Sequence, residues 1–306
     1  MDKISQAIGR IESELPKVRL RKDEPMKNHT SFSIGGKVRA LLIPKGAAEL
    51  SKICEILRDF AVTPLVIGNG SNLLVDDRPL DVVVIKTTGL RDIAVLGESE
   101  IIAASGVTLS TVAQFALENN LTGFEFAHGI PGTLGGAITM NAGAYGGEMK
   151  DVVRATSVFN TSKGMFTLEN AEHEFTYRGS RFSGEDSGDV IISTIISLQK
   201  GYSEIIKTAM EELIARRNES QPLEHHSAGS TFKRPAEGFA AEYIEKAGLK
   251  GFAVGGASVS EKHSGFIINH GNATFSDVMA VIGHVSQTVY KKFGVELETE
   301  IRIIRG

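Results

Sequence analysis

The sequence predicts a mixed α+β protein of two regions, and three observations lead there. Short β-branched runs, TPLVIG (63–68), DVVVIK (81–86) and EIIAASG (100–106), have the character of strands, but no repeating βαβ unit joins them. Long helical periodicities open and close the part of the chain after residue 200. Across 306 residues, hydrophobic content is 42% and charged content 23%, enough to bury two or three lobes of an ordinary globular protein.

Taken in order, MDKISQAIGRIESEL is amphipathic, mixed in charge and without a signal-peptide core. In AELSKICEILRDF, Cys54 stands beside Leu50, Ile53 and Leu57 and reads as a small buried apolar side chain. It is the only cysteine, so no internal disulfide is possible. TLSTVAQFALEN (108–119) reads as a helix capped by Thr108, with Leu109, Val112, Phe115 and Ala116 on one face. RATSVFN and KGMFTLE form a hairpin around NTSKG, and VIISTIISLQK (190–200) is a further strand. We place a boundary near residue 200. Beyond it, YSEIIKTAMEELIARRNE (202–219) repeats Ile205, Ile206, Ala209, Met210, Leu213 and Ile214 at helical spacing. QPLEHHSAGSTFKRP is a loop, followed by a helix near GFAAEYIEKAGL, short strands in VGGASVS and GFIINH, and a helix from Thr274 to Phe293. VELETEIRII closes the chain as a strand, with Val295, Leu297, Ile301 and Ile303 on one face and Glu296, Glu298, Glu300 and Arg302 on the other.

Composition narrows the function. The formal charge is −4 and the cations are scattered, so no electrostatic footprint for nucleic acid exists. No apolar run reaches the ~18 residues of a membrane span. A cytoplasmic protein with no required protein partner is expected. The histidines at 225, 226, 263 and 270 lack zinc-type spacing and a completing carboxylate or cysteine, so no metal is expected.

Glycine carries the strongest local signal. VIGNGSNLLVDD (66–77) contains Gly68-x-Gly70, but Leu73 stands where a dinucleotide fingerprint needs its third glycine, and extended chain follows instead of a helix. What remains is a turn rich in N–H groups, with Asn69, Ser71 and Asn72 adding side-chain hydrogen bonds, of the kind that holds anions. HGIPGTLGGAITMNAGAYGG (128–147) offers a second bare surface at Gly132, Gly135 and Gly136, and its Ile130, Leu134, Ile138 and Met140 mark it as folded. Two such loops suit a long ligand with a diphosphate in its middle. In SAGSTFKRP, Ser230 precedes Lys233 by three, the Ser-x-x-Lys spacing of serine acyl-enzymes, but no Ser-Asp-Asn, Lys-Thr-Gly or Gly-x-Ser-x-Gly accompanies it. Arg178 in TYRGSRF is a residue type that binds a carboxylate bidentately, and Glu300 stands on the polar face of the last strand.

Seven motifs, NHTSFSIGGKV, IGNGSNLLV, GIPGTLGGAITMNAGAYG, YRGSRF, AGSTFKRP, KHSGFIIN and LETEIRII, occur in that order from about Asn28 to Arg302. Together they resemble the UDP-N-acetylenolpyruvoylglucosamine reductase (MurB) family. The resemblance implies an FAD-binding lobe of the vanillyl-alcohol-oxidase (PCMH) type in two subdomains, residues 1–200 split near 67, and an α+β substrate-binding domain over 201–306. It implies non-covalent FAD, NADPH as hydride donor and a nucleotide-sugar enolpyruvyl ether as substrate, in peptidoglycan synthesis. On matching motifs, Ser230 corresponds to the proton donor, Arg178 to the residue neutralising the substrate carboxylate and Glu300 to its acidic partner. FAD falls to Gly68, Asn69, Gly70, Ser71, Asn72, Gly132, Thr133, Gly135, Gly136 and Ala137 around the diphosphate, and to Asn141, Gly143 and Ala144 toward the flavin. Tyr145, Tyr177, Lys233 and Arg234 fall to the substrate. Two departures stand out. Eleven residues between Arg178 and Val190 leave no room for the tyrosine-bearing lid of one family branch, and Ser220 replaces an expected basic residue, which leaves the diphosphate to Arg217 or to residues elsewhere. The competing readings are another flavin oxidase or dehydrogenase of the same fold, which has no need of a protonating serine, and a flavin-free serine acyl-transferase.

Overall fold

A computed structural model describes residues 2–160, 163–184 and 188–306. The chain forms two compact units that interleave in sequence. The first holds residues up to 22, 39–69 and 82–215, and the second holds 23–38, 70–81 and 216–306. The unit division thus falls inside the Ser203–Ser220 helix, while the sequence suggests a boundary near residue 200.

The first unit is built on two sheets. One has the strand order Arg19–Pro25, Lys37–Ile43, Leu80–Lys86, Leu65–Ile67, the last two parallel. The Lys3–Glu14 and Ala47–Asp59 helices pack against each other within the same core as Ala40, Leu42, Val83 and Ile85 of that sheet, burying Ile4, Ala7, Ile8 and Ile11 from one and Leu50, Ile53, Cys54, Ile56 and Leu57 from the other. Each large apolar side chain buried this way contributes about 1.5–3 kcal/mol. The other sheet is antiparallel throughout, in the order Gly164–Glu169, Val153–Asn160, Asp189–Ser197, Glu100–Ala104, Ile93–Leu96. Its first two strands are the expected hairpin, whose tip at Thr161 and Ser162 lies outside the described residues. The Leu109–Glu118 helix starts as expected, with Thr108 Oγ1 accepting from the Thr111 N–H at 3.2 Å.

Three expectations need correction here. The strand expected over 190–200 breaks at Leu198, whose N–H turns to Ser99 O, and only Gln199–Lys200 resume pairing, with Leu121–Thr122. On the Ser203–Ser220 helix only Ile206 and Met210 are buried, and Ile205 is 66% exposed, because the apolar residues spread wider than the face that packs. Within the glycine-rich stretch, Leu134–Thr139 is a short helix that glycine content concealed.

In the second unit, the Ala240–Lys246 and Phe275–Phe293 helices and an antiparallel sheet of Ala253–Val254, Ala257–Val259 and Ile267–Asn269 share one core. The long helix begins with a capping box: Thr274 Oγ1 accepts from the Asp277 N–H at 3.1 Å, and Asp277 Oδ2 accepts from the Thr274 N–H at 2.9 Å. VELETEIRII is not one continuous ladder strand. Only Arg302–Ile304 is, parallel to Leu73–Val75, although Glu296 and Glu298 do alternate outward against half-buried Val295 and Leu297.

Candidate functional site

In the first unit, the glycine-rich stretch and the TYRGS segment meet. Asn141 is fully buried, and its Nδ2 donates to Thr176 O at 2.9 Å and to Glu148 Oε2 at 3.0 Å. Thr176 and Gly179 exchange backbone hydrogen bonds across a tight turn, which carries Arg178 at its third position with φ 56°. That is the left-handed conformation usually left to glycine or asparagine. The Arg178 guanidinium donates to Gly143 O at 3.0 Å and lies over the Tyr177 ring, 5.2 Å from its centre. Gly143–Ala144 and Gly147–Glu148 form a two-residue hairpin whose corner residues are Tyr145, at φ 53°, and Gly146, at φ 90°. Tyr145 and Tyr177 are both exposed. Left-handed backbone at an exposed tyrosine and an arginine costs of order 1–3 kcal/mol each and clusters where side chains are aimed for a task.

The glycines divide by what they touch. A Cβ on Gly68 would lie 2.0 Å from Thr133 Oγ1, and one on Gly135 2.9 Å from the Cβ of Ser105, so the protein's own packing excludes side chains there. Gly136 differs. It is exposed, it is not left-handed, and a Cβ would meet only Thr133 Oγ1 at 3.6 Å, an ordinary contact. Glycine in a helix is unfavourable by about 1 kcal/mol against alanine, and the open face at Gly136 leaves its backbone accessible to a ligand. Ala137 is buried and Gly132 half-buried on the same stretch, and Asn69 is exposed beside Gly68. These residues fit a flavin dinucleotide approaching the bare backbone.

In the second unit, AGSTFKRP and LETE pair. The Glu300 N–H donates to Thr231 O and the Lys233 N–H to Glu298 O, each at 2.8 Å, so Ser230 and Glu300 stand on neighbouring rungs. Ser230 is bridged on its other side to Phe266 of KHSGFIIN and follows Gly229, whose φ is 81°. Asn72 Nδ2 donates to Glu300 O at 3.1 Å, which ties the end of the IGNGSN loop to the same segment. Gly70, at φ 67°, packs so closely on His29 O that a Cβ would sit 2.1 Å from it, and half-buried Ser71 follows. Both expected substrate cations have resident partners: Lys233 Nζ pairs with Glu298 Oε1 at 2.5 Å, and Arg234 donates to Gly238 O while lying over the Phe239 ring. Arg217 is half-buried near the end of its helix, and Ser220 Oγ turns back to Arg216 O. Among the described residues, no group of three or more His, Cys, Asp or Glu is arranged to hold a metal, and no helix is long and apolar enough to cross a membrane.

Sequence reasoning missed Glu148 and Thr176, the two acceptors of the Asn141 amide. The available signals were the Tyr-Gly pair between small residues, a two-residue hairpin signature ending at Glu148, and the Thr-x-x-Gly spacing of the turn.

Residues 38–169 match the family described as FAD binding domain, and residues 221–304 match UDP-N-acetylenolpyruvoylglucosamine reductase, C-terminal domain. An alkyldihydroxyacetonephosphate synthase structure, 13% identical, aligns over 64% of this chain and 41% of its own with a TM-score of 0.51, a likeness of fold alone. The fold is that of an FAD-dependent flavoprotein of the vanillyl-alcohol-oxidase (PCMH) type with a further α+β domain. Within that class, the UDP-N-acetylenolpyruvoylglucosamine reductase of Caldanaerobacter subterraneus subsp. tengcongensis is 49% identical over 297 residues, 97% of each chain. The crystal structure of UDP-N-acetylenolpyruvylglucosamine reductase (MurB) from Thermus caldophilus is 30% identical and covers 94% of this chain and 99% of its own, with a TM-score of 0.79. The chain belongs to the UDP-N-acetylenolpyruvoylglucosamine reductase (MurB) family.

Proposed function

We propose that this chain is a UDP-N-acetylmuramate dehydrogenase: it reduces UDP-N-acetylglucosamine enolpyruvate to UDP-N-acetylmuramate with NADPH and non-covalent FAD, in peptidoglycan synthesis in the cytoplasm, with no obligatory protein or nucleic-acid partner. The observation that supports this reading is the backbone pairing of segments 231–233 and 298–300, which brings the AGSTFKRP and LETE motifs together. The FAD match over 38–169 and the reductase C-terminal match over 221–304 support a cofactor region in the first 200 residues, split near 67, and a substrate region after it.

Bound FAD would supply the redox chemistry, relaying hydride from NADPH to the terminal carbon of the enolpyruvyl group. Gly68 to Asn72, with Gly132, Thr133 and Gly136, would hold its diphosphate through backbone N–H groups, with Arg217 adding charge, while the N–H groups of Leu134, Gly135 and Ala137 donate to Val107 O, Ser105 O and Thr133 O. Gly143, Ala144 and the backbone of Asn141 lie toward its flavin end. Hydride addition leaves negative charge on the carbon next to the substrate carboxylate, and that charge must be stabilised and then protonated. Arg178 binds the carboxylate through its planar fork, and Ser230 Oγ gives up the proton. Glu300 beside the same carboxylate is tolerable when a proton is shared or Arg178 compensates. Tyr145, Tyr177, Lys233 and Arg234 contact the rest of the nucleotide sugar, and Lys233 exchanges Glu298 for a substrate phosphate.

Ser230→Ala separates the two halves of the reaction. Single-turnover mixing should show NADPH oxidised by the substrate-free holoenzyme at the wild-type rate, with the substrate-dependent step slowed about 10²-fold or more. Equal losses in both halves would refute the role of Ser230.

A further inference from the structure

We propose that Asn141 and Glu148 are positioning residues for Arg178, fixing the turn and the carbonyl that hold its guanidinium so that the cation is oriented before an anionic substrate arrives. The inference rests on the reading of Arg178 as the ligand of the substrate carboxylate.

Asn141 can point only one way. Its Oδ1 accepts from the Lys150 N–H at 3.0 Å, and its two amide hydrogens go to Glu148 Oε2 and Thr176 O. Rotating the amide would set its oxygen against a carboxylate and a carbonyl, and its NH2 against an N–H. Both donors are therefore consumed inside the protein, and whatever this side chain does it does through Thr176 and Glu148. Thr176 is the first residue of the turn closed by Gly179, so Asn141 grips the base from which Arg178 projects in a disfavoured backbone conformation. Without that grip the turn is free to relax, and the guanidinium moves with it.

Glu148 acts from the other side. It lies directly opposite Gly143 in the two-residue ladder, and Gly143 O is the acceptor of Arg178. No side chain fits at Gly143, because a Cβ would lie 2.5 Å from Gly147 O and 2.7 Å from Glu148 Cγ. The direction of the Gly143 carbonyl thus depends on how Glu148 is seated. Lys150 Nζ, at 2.9 Å, and then Asn141 anchor the Glu148 carboxylate, and the Arg178 charge adds to them in keeping it ionised below the ordinary carboxylate range. Glu148 thereby stays ionised and seated by Lys150 and Asn141 opposite the residue whose carbonyl accepts from Arg178.

The test is a pair of double-mutant cycles on the FAD-loaded enzyme, read as kcat/KM for UDP-N-acetylglucosamine enolpyruvate. Asn141→Ala should lose about 10²-fold, the scale of a misplaced binding group, at unchanged FAD stoichiometry and unchanged KM for NADPH. Adding it to Arg178→Lys should cost less than about 3-fold more, because the two changes remove one function. Glu148→Gln keeps the shape and removes the charge, and it should show the same non-additivity, which decides the matter if Asn141→Ala does not fold. Losses that multiply in both cycles, or a selective loss of FAD, overturn the inference. Wild-type holoenzyme that does not oxidise NADPH when the enolpyruvyl substrate is added overturns the proposed function and this inference with it.

Discussion

Gly136→Ala asks whether the open face of the Leu134–Thr139 helix is kept bare for the protein or for a ligand. The helix itself should gain from the change. Gly136 is exposed, its backbone suits alanine and the new methyl would meet only Thr133 Oγ1 at 3.6 Å. An exposed helical glycine replaced by alanine is worth about 1 kcal/mol, or roughly 2 °C in the melting temperature of a chain this long. The methyl would nonetheless occupy the surface proposed for the diphosphate of FAD. Losing one charge-assisted amide contact costs about 1.5–3 kcal/mol, which at 1.4 kcal/mol per tenfold weakens FAD by about 10- to 10²-fold. Apoprotein stripped of flavin would be melted alone and then titrated with FAD by fluorescence. A melting point at or above wild type with weakened FAD binding is expected. Gly135→Ala is the control, since its Cβ would lie 2.9 Å from the Cβ of Ser105 and should destabilise the apoprotein itself. FAD affinity within about 2-fold of wild type for Gly136→Ala would refute the assignment of this face to the cofactor.

Other outcomes follow from single residues. Cys54 is fully buried, and burial pushes its thiol up to about 12, so a thiol reagent at neutral pH should label the chain only after unfolding; rapid labelling of native protein would contradict the packing. Burial lowers the affinity of His173 for a proton, and its Nε2 lies 2.8 Å from Thr156 Oγ1 while Nδ1 lies 2.9 Å from Glu169 O, the arrangement of a neutral ring that donates through Nδ1 and accepts at Nε2. The unfolded chain then binds the proton that the folded one refuses, so stability should fall as pH drops below about 6.5. His173→Gln should flatten that acid limb in denaturant titrations, and an unchanged slope would exclude His173 as a source. Asp277→Ala removes half of the capping box and the acceptor for the Gly256 N–H at 3.3 Å, and urea unfolding should show a loss of about 1 kcal/mol.

Strands and long helices were legible because periodicity is local. DVVVIK, EIIAASG and RATSVFN announced their ladders, and Thr108 announced the cap of the Leu109–Glu118 helix. What failed was decided by neighbours distant in sequence. Ile205 has the same hydrophobicity as Ile206, but only packing determines which one is covered. VELETEIRII alternates as a strand should, yet its pairing is split, residues 298–300 against 231–233 through a single bridge and Arg302–Ile304 against Leu73–Val75. The site divided the same way. Ser230, Arg178 and Glu300 were reached through motifs, while Glu148 and Thr176 are told apart from other surface-type residues by the bonds that Asn141 makes across 7 and 35 positions.

The pairing of Asn72 with Glu300 also has a consequence for how the chain is made. These partners are 228 positions apart, so during synthesis the segment around Leu73–Val75 leaves the ribosome with its mate still unwritten. At ordinary elongation rates the wait is on the order of tens of seconds. Through that interval an apolar strand has open edges, and contacts of such long range are among the slowest to form. The second unit is therefore complete only when residues 302–304 have been added, and a chain stalled before then carries early segments with nothing to join.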